Sequence, residues 1–354
     1  MACRMADMRE ITLTRPDDWH VHLRDGDYLA TTVPHISRYF GRALVMPNLV
    51  PPVQTVKEAE AYRQRILGHV PDESDFEPLM TLYLTDQTAL ETIHEAGHSP
   101  IVVACKLYPA GATTHSDSGV RGIEKLYPVF EAMQEAGLVL SLHGEITDPD
   151  TDIFDREKLF IERHLSPLVR RFPQLKVVLE HITTSEAVAF VESETEYVAA
   201  TITVHHLMYN RTHMLAGGIK PLYYCLPVLK RDSHQLALIK AATSGHKRFF
   251  LGTDSAPHTL TAKSNPCGCA AGIYTAHAAL ELYAQVFDSQ QALDKLEGFA
   301  SLYGAQFYGL KPNQTRIQLT EESWRLPSDY ALGDDRLKPL PFDETLHWTV
   351  RRLP

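Results

Sequence analysis

Short apolar runs rich in β-branched residues recur along this chain, each followed by a longer stretch with helical spacing. No other feature constrains the fold as much, because strand-then-helix repetition is the signature of an α/β protein with a parallel sheet. The candidate strands lie at 11–13, 43–48, 79–84, 101–107, 138–143, 176–181, 198–204 and 249–254, eight in all. Helical patterns fill the gaps at 56–67, 88–96, 122–136, 156–172, 185–193, 234–244 and 270–287. Thr55 and Ser185 stand where caps open helices, and Gly97 and Gly137 where helices end. Eight such units suit a (β/α)8 TIM barrel. A doubly wound dinucleotide fold has less support, since no Gly-x-Gly-x-x-Gly follows the first strand.

The length of 354 residues, with 44% hydrophobic and 22% charged residues, accommodates one barrel domain over 1–354. Its core runs from about 11 to 310. An extension from about 311 to 354, carrying Pro312, Pro327, Pro339, Pro341, Trp324 and Trp348, breaks the βα rhythm and is expected to wrap the barrel. The net charge of −10 speaks against a nucleic-acid-binding face. Five cysteines, Cys3, Cys105, Cys225, Cys267 and Cys269, form no Cys-x-x-Cys pair, which is the usage of a reduced, cytoplasmic protein. Arg4, Asp7, Arg9 and Glu10 interrupt any apolar core of a secretory signal, and no apolar run reaches the roughly 20 residues of a membrane span.

His20 and His22 stand two apart, so in an extended backbone both face the same way and can meet one ion. Asn48, Lys106, His143, His181 and Asp254 likewise close or directly follow an apolar run. All would emerge at the C-terminal mouth of a barrel, where this fold keeps its active sites. Four imidazoles and a carboxylate are ligands suited to zinc and its neighbours, and five exceed what a single open tetrahedral zinc takes. Two ions are more economical and need a bridge. Lys106 lies among apolar neighbours, where burial beside cations favours the neutral amine. A neutral amine can capture carbon dioxide as a carbamate, whereas a snorkelling lysine would instead reach water.

Asp18-Trp19-His20-Val21-His22-Leu23-Arg24, Met46-Pro47-Asn48, Lys106-Leu107-Tyr108-Pro109, Leu142-His143-Gly144-Glu145, Glu180-His181-Ile182-Thr183 and Gly252-Thr253-Asp254-Ser255-Ala256-Pro257-His258 follow in order. Together they resemble the motif series of the dihydroorotases of the amidohydrolase superfamily, in their bacterial single-function form, over about 11–310. The resemblance implies His20, His22 and Asp254 as ligands of one zinc, His143 and His181 as ligands of a second, and N6-carboxylated Lys106 as the bridge. It implies that Arg24, Asn48 and His258 hold the substrate carboxylate, with His143 also at the substrate. Main chain at Leu226 and Ala270 would contact the pyrimidine ring. Arg24 suits the carboxylate on its own chemistry, since a planar guanidinium binds it bidentately.

The implied reaction is the reversible, zinc-dependent cyclisation of N-carbamoyl-L-aspartate to dihydroorotate in pyrimidine biosynthesis, by a cytoplasmic homodimer. Asp254 would carry the proton between water and the amide nitrogen. The small, polar stretch after Tyr108, with Thr113 and Thr114, could close over substrate. Rival readings are a hydantoinase or allantoinase, disfavoured by the short segment before His20, and a non-catalytic barrel serving as a scaffold. His205 and His206, as neighbours on a strand, would face opposite ways. Cys267-Gly268-Cys269 is too isolated for a zinc site, and His94, His98 and His115 have no visible partners.

Overall fold

The computed structural model describes residues 9–342 and 345–353. Cys3, Arg4, Asp7 and the last residue of the extension lie outside them.

Eight parallel strands form one sheet in sequence order: β2 (Asp17–Val21), β3 (Arg42–Val45), β4 (Glu77–Tyr83), β5 (Val102–Leu107), β6 (Val139–Leu142), β7 (Val177–Leu179), β8 (Val198–Ile202) and β9 (Phe249–Leu251). A parallel bridge from Val21 to Ser255 joins the last strand's continuation to the first, closing the barrel. The preceding strand, β1 (Glu10–Thr14), is not part of it. It pairs antiparallel with β10 (Arg316–Thr320), which in turn pairs with β15 (Thr349–Arg352). The apolar run at 11–13 therefore belongs to a separate three-stranded sheet, and the first barrel strand is the polar stretch Asp17–Val21. That stretch is hidden from a hydrophobicity reading because its charges are paired inside: Arg42 donates to both oxygens of Asp17, and Thr253 donates from its amide and hydroxyl to Asp18.

The two-residue strand period builds the interior in layers. Leu44, Leu79, Ala104, Val139, Val178, Ala199 and Phe250 pack together at the floor, with Trp19, Ala305 and Phe307. Two residues further along several strands the interior turns polar, at Thr81, Lys106, Ser141, Glu180 and Thr201, all buried. The alternate positions, such as Cys105, Leu140, Leu179, Ile202 and Leu251, pack in the larger cluster with the surrounding helices. The helix Tyr303–Tyr308 plugs the N-terminal mouth, and the indole of Trp19 stacks on Tyr308 at 4.4 Å between centroids.

Helix boundaries follow the capping chemistry. Val56–Leu67 opens with the Thr55–Glu58 capping box, and Gly137 ends Tyr127–Ala136 in the left-handed conformation, at φ 70°. Ser185 is the first residue of its helix rather than the cap; the hydroxyl of Thr184 accepts from Ala187 N. Gly97 lies within Leu90–His98 instead of ending it. The pattern at 270–287 yields a helix only at Ala279–Ser289. Its first part is irregular because the amides of Thr275 and Ala276 donate to the Ser255 hydroxyl, and Gly272 sits at φ 149°. The extension continues as β11 (Trp324–Arg325), β12 (Tyr330–Leu332), β13 (Asp335–Leu337) and β14 (Thr345–Leu346). It wraps back onto the barrel, and Asp335 accepts from Thr261 N near the active-site mouth.

Candidate metal centre and substrate pocket

His20, His22 and Asp254 converge as the sequence spacing requires. Asp254 Oδ1 lies 3.3 Å from His20 Nε2 and 3.0 Å from His22 Nε2, and the two nitrogens are 3.3 Å apart. Ligand atoms about 2.0 Å from one tetrahedral zinc stand about 3.3 Å from each other, so this triangle has the size of three corners of such a site. The rings continue inward, His20 to His181 at 5.0 Å and His181 to His143 at 4.9 Å between centroids. Lys106 is fully buried at the same depth, and its Nζ has no hydrogen-bond partner. Nδ1 of His22 and of His181 are also buried without one. Unpartnered polar atoms are rare in a protein interior and point to a functional site, and the converging ligand atoms of His20, His22 and Asp254 are grouped closely enough to hold one cation. The residues therefore fit a metal centre.

Surrounding carboxylates orient these groups. His20 Nδ1 meets Glu180 Oε2 at 3.0 Å, which leaves Nε2 facing the centre. Glu180 is itself held by hydroxyls of Ser141 and Thr201. His143 Nε2 meets Glu145 Oε2 at 2.8 Å. Burial pushes the Lys106 ammonium down to about 8, with Glu180 and Asp254 pulling the other way. Burial pushes the Asp254 carboxyl up, but hydrogen bonds from His20 and His22 outweigh it and hold the group well below the usual carboxylate range.

The backbone is bent where the side chains must be aimed. Among the described residues, five non-glycine positions have positive φ: Arg24 (61°), His115 (55°), His181 (41°), Asp254 (43°) and Gln291. Such conformations persist where their surroundings over-determine them, often at functional sites. His181 directly follows Glu180, and its left-handed turn breaks the strand alternation that would have sent its ring away from the centre. His20 O accepts from Asp254 N at 2.8 Å, locking the first and last strands together beside the ligands.

A small cavity above the ligands is lined by His22, Arg24, Asn48, Thr113, Thr114, His143, His181, Leu226 and Asp254, along with Tyr108, Ala271 and Gly272. At about 20 Å³ it holds little more than a water, because the segment after Tyr108 is folded into it. Asn48 Nδ2 donates to Thr114 O at 3.0 Å, and the Thr114 hydroxyl donates to Ala271 O at 3.3 Å. These bonds hold the segment against the mouth of the cavity. Outside it lies a cleft of about 570 Å³ lined by Arg24, Thr114, His258 and Ala270 among others. Arg24 Nη2 contacts His258 Nε2 at 3.1 Å, while its Nη1 is buried with no partner. Ala270 thus faces the outer cleft, and its neighbours Ala271 and Gly272 line the inner one.

His205 and His206 do not lie on a strand. They open the helix Val204–Met208, with ring centroids 4.6 Å apart, so they do not face opposite ways. Their ligand atoms and that of Cys225 lie within 4.8 Å of one another. His206 nevertheless uses both nitrogens, on the Thr203 hydroxyl at 2.7 Å and Pro227 O at 3.0 Å. His98 and His115 do find partners, the carbonyls of His94 and Asn48. Sequence reasoning missed Glu180, Glu145 and Asp18 as orienting groups, although the first two stand inside the motifs that carry His181 and His143.

A TIM barrel with imidazoles, a lysine and an aspartate at its C-terminal mouth is the architecture of a metal-dependent amidohydrolase, and the amidohydrolase family description matches residues 17–318. Over 344 residues the chain is 60% identical to a dihydroorotase of Vibrio vulnificus, covering 97% of this chain and all of the relative. It superposes on the dihydroorotase of Saccharomyces cerevisiae, solved with 5-fluoroorotic acid, with TM-score 0.90 and 36% identity, covering 98% of this chain and 99% of that one. The chain belongs to the dihydroorotases, the cyclic-amide hydrolases of that family. The L-hydantoinase of Arthrobacter aurescens, at 15% identity and TM-score 0.78 over 97% of this chain and 84% of its own, shares the fold alone.

Proposed function

We propose that this protein interconverts N-carbamoyl-L-aspartate and dihydroorotate, using two zinc ions bridged by N6-carboxylated Lys106. The observation that carries the reading is the sealed Lys106 Nζ, which has no hydrogen-bond partner and lies over the Tyr108 ring, in the same buried cluster as His20, His143, His181 and Asp254. Its neutral amine would add carbon dioxide to give a carbamate and release one proton, turning an orphaned donor into a bidentate anionic ligand. His20, His22 and Asp254 would hold one ion and His143 and His181 the other. Bound there, such ions lower the pKa of water toward neutrality and draw charge from a carbonyl.

The chain's own residues supply the rest. Arg24, with a free Nη1, holds the substrate carboxylate alongside Asn48 and His258, and His143 borders the ring. Main chain near Leu226 and Ala270 orients the pyrimidine ring. In ring opening the water oxygen bonds to the amide carbon and the carbon–nitrogen bond breaks. Asp254 takes the proton from water and delivers it to the departing nitrogen; in ring closure each step reverses. The segment carrying Thr113 and Thr114 closes over the bound ring and excludes bulk water.

We read the enzyme as a cytoplasmic homodimer acting on a small molecule, with neither nucleic acid nor membrane as partner; no helix among the described residues is long and apolar enough to cross a membrane. The domain is read as one unit with its core near 11–310. Incubating the zinc-loaded protein with N-carbamoyl-L-aspartate tests the reaction. Dihydroorotate should accumulate, and its absence, with hydantoin or allantoin turned over instead, would replace the assignment.

A further inference from the structure

Lys263 ends the short helix Leu260–Lys263, five residues after His258, with only 5% of its surface exposed. Its Nζ donates to three main-chain carbonyls: Tyr224 at 2.7 Å, Ala270 at 2.9 Å and Gly272 at 2.9 Å. An ammonium has three N–H donors, so all are used and none remains for substrate. Among the described residues no carboxylate forms an ion pair with it, and burial pushes its pKa down to about 8. A buried cation balanced only by carbonyl dipoles is costly. A methionine would fill the same space without that cost, so packing alone does not explain a lysine here.

The three carbonyls belong to two stretches that share the substrate wall. Tyr224 lies two residues before Leu226, while Ala271 and Gly272 line the inner cavity and Ala270 the outer cleft. Gly272 N also donates to Tyr224 O at 3.0 Å, directly joining the stretches. The wall is tightly bounded: a Cβ on Gly272 would lie 2.8 Å from Ala256 Cβ and from His258 Cδ2. The closing segment rests on it as well, through the Thr114 hydroxyl on Ala271 O, between the two clamped carbonyls.

We infer that Lys263 is a positioning residue for the substrate, clamping the 224–226 and 270–272 main chain at the separation needed to contact the pyrimidine ring. The inference rests on the dihydroorotase reading above. It places Lys263 apart from metal binding and proton transfer, so its loss acts on substrate affinity first. A wall displaced by an ångström would misalign both the ring contacts and His258.

Steady-state dihydroorotate hydrolysis by zinc-loaded wild type, Lys263→Met and Lys263→Gln tests it, with zinc content measured on the same samples. Lys263→Met keeps chain length but has no donor. It is expected to raise KM about tenfold or more while kcat stays within about threefold and zinc content is unchanged. Lys263→Gln keeps two N–H donors and is expected to fall between wild type and Lys263→Met; it carries the test if the methionine variant is insoluble. An unchanged KM in either soluble variant overturns the clamp, as does a loss of kcat and zinc at constant KM. Absence of turnover in wild type would strike the dihydroorotase reading instead, so the two failures are distinguishable.

Discussion

Glu180 Oε2 stands 3.0 Å from His20 Nδ1, and both side chains are sealed from solvent. Burial raises the Glu180 carboxyl, but His20 and Lys106 outweigh it and keep the group ionised. A carboxylate behind a ligating imidazole fixes its tautomer and its aim. Glu180→Gln keeps the volume and removes the charge. Zinc affinity, read by chelator competition, should fall by about 10- to 100-fold. Undiminished affinity would mean that His20 is aimed by its backbone alone.

The segment after Tyr108, proposed to close over substrate, is braced from within. Ser116 is buried, accepts from Thr113 N at 2.9 Å and donates to Thr113 O at 2.6 Å. Each bond is worth about 1 kcal/mol, so loss of both in Ser116→Ala should lower kcat/KM by up to about 30-fold with zinc content intact. A full complement of zinc and wild-type kcat/KM together would show that the segment does not limit the reaction.

The charge of Arg24 survives in Arg24→Lys, but the planar fork does not. The variant should raise KM for dihydroorotate by about tenfold or more, since two parallel hydrogen bonds become one flexible contact. Steady-state kinetics with wild-type zinc loading checks this. An unchanged KM would move the carboxylate site away from Arg24.

Beneath the site, Gly304 is pressed against Trp19; a Cβ there would lie 2.0 Å from the indole Nε1. Trp19 cannot retreat, being stacked on Tyr308 with an interplanar angle of 9°. Gly304→Ala should cost about 1–3 kcal/mol through overpacking. Thermal unfolding should show a fall in Tm of several degrees, and an unaltered Tm would mean that the floor has room to yield.

Much of the barrel was legible because β-branched runs and helix caps act locally. The runs around Leu44, Cys105, Leu140, Val178 and Phe250 each became a barrel strand. The first strand was misassigned because Asp17, Asp18 and His20 carry its interior charges, and pairing across the barrel to Arg42 and Thr253 has no local signal. The alanines near 270 look helical for the opposite reason: their propensity is real, but Ser255, Tyr224 and Lys263 hold the backbone elsewhere. At the site, the two-residue spacing of His20 and His22 foretold their shared direction. The turn that re-aims His181 did not show, since a left-handed residue at a strand end depends on its tertiary surroundings. Lys263 was likewise unreadable, because its three acceptors are carbonyls and leave no side-chain pattern.

The central claim is chemical: a lysine modified to an anionic bridge between two cations. Anomalous diffraction from crystals of the protein grown with zinc and bicarbonate measures it most directly. The account predicts two zinc peaks at the C-terminal mouth, with carbamate density on Lys106 between them and His20, His22, His143, His181 and Asp254 around them. An unmodified Lys106 at full zinc occupancy, or zinc bound away from these side chains, would contradict it.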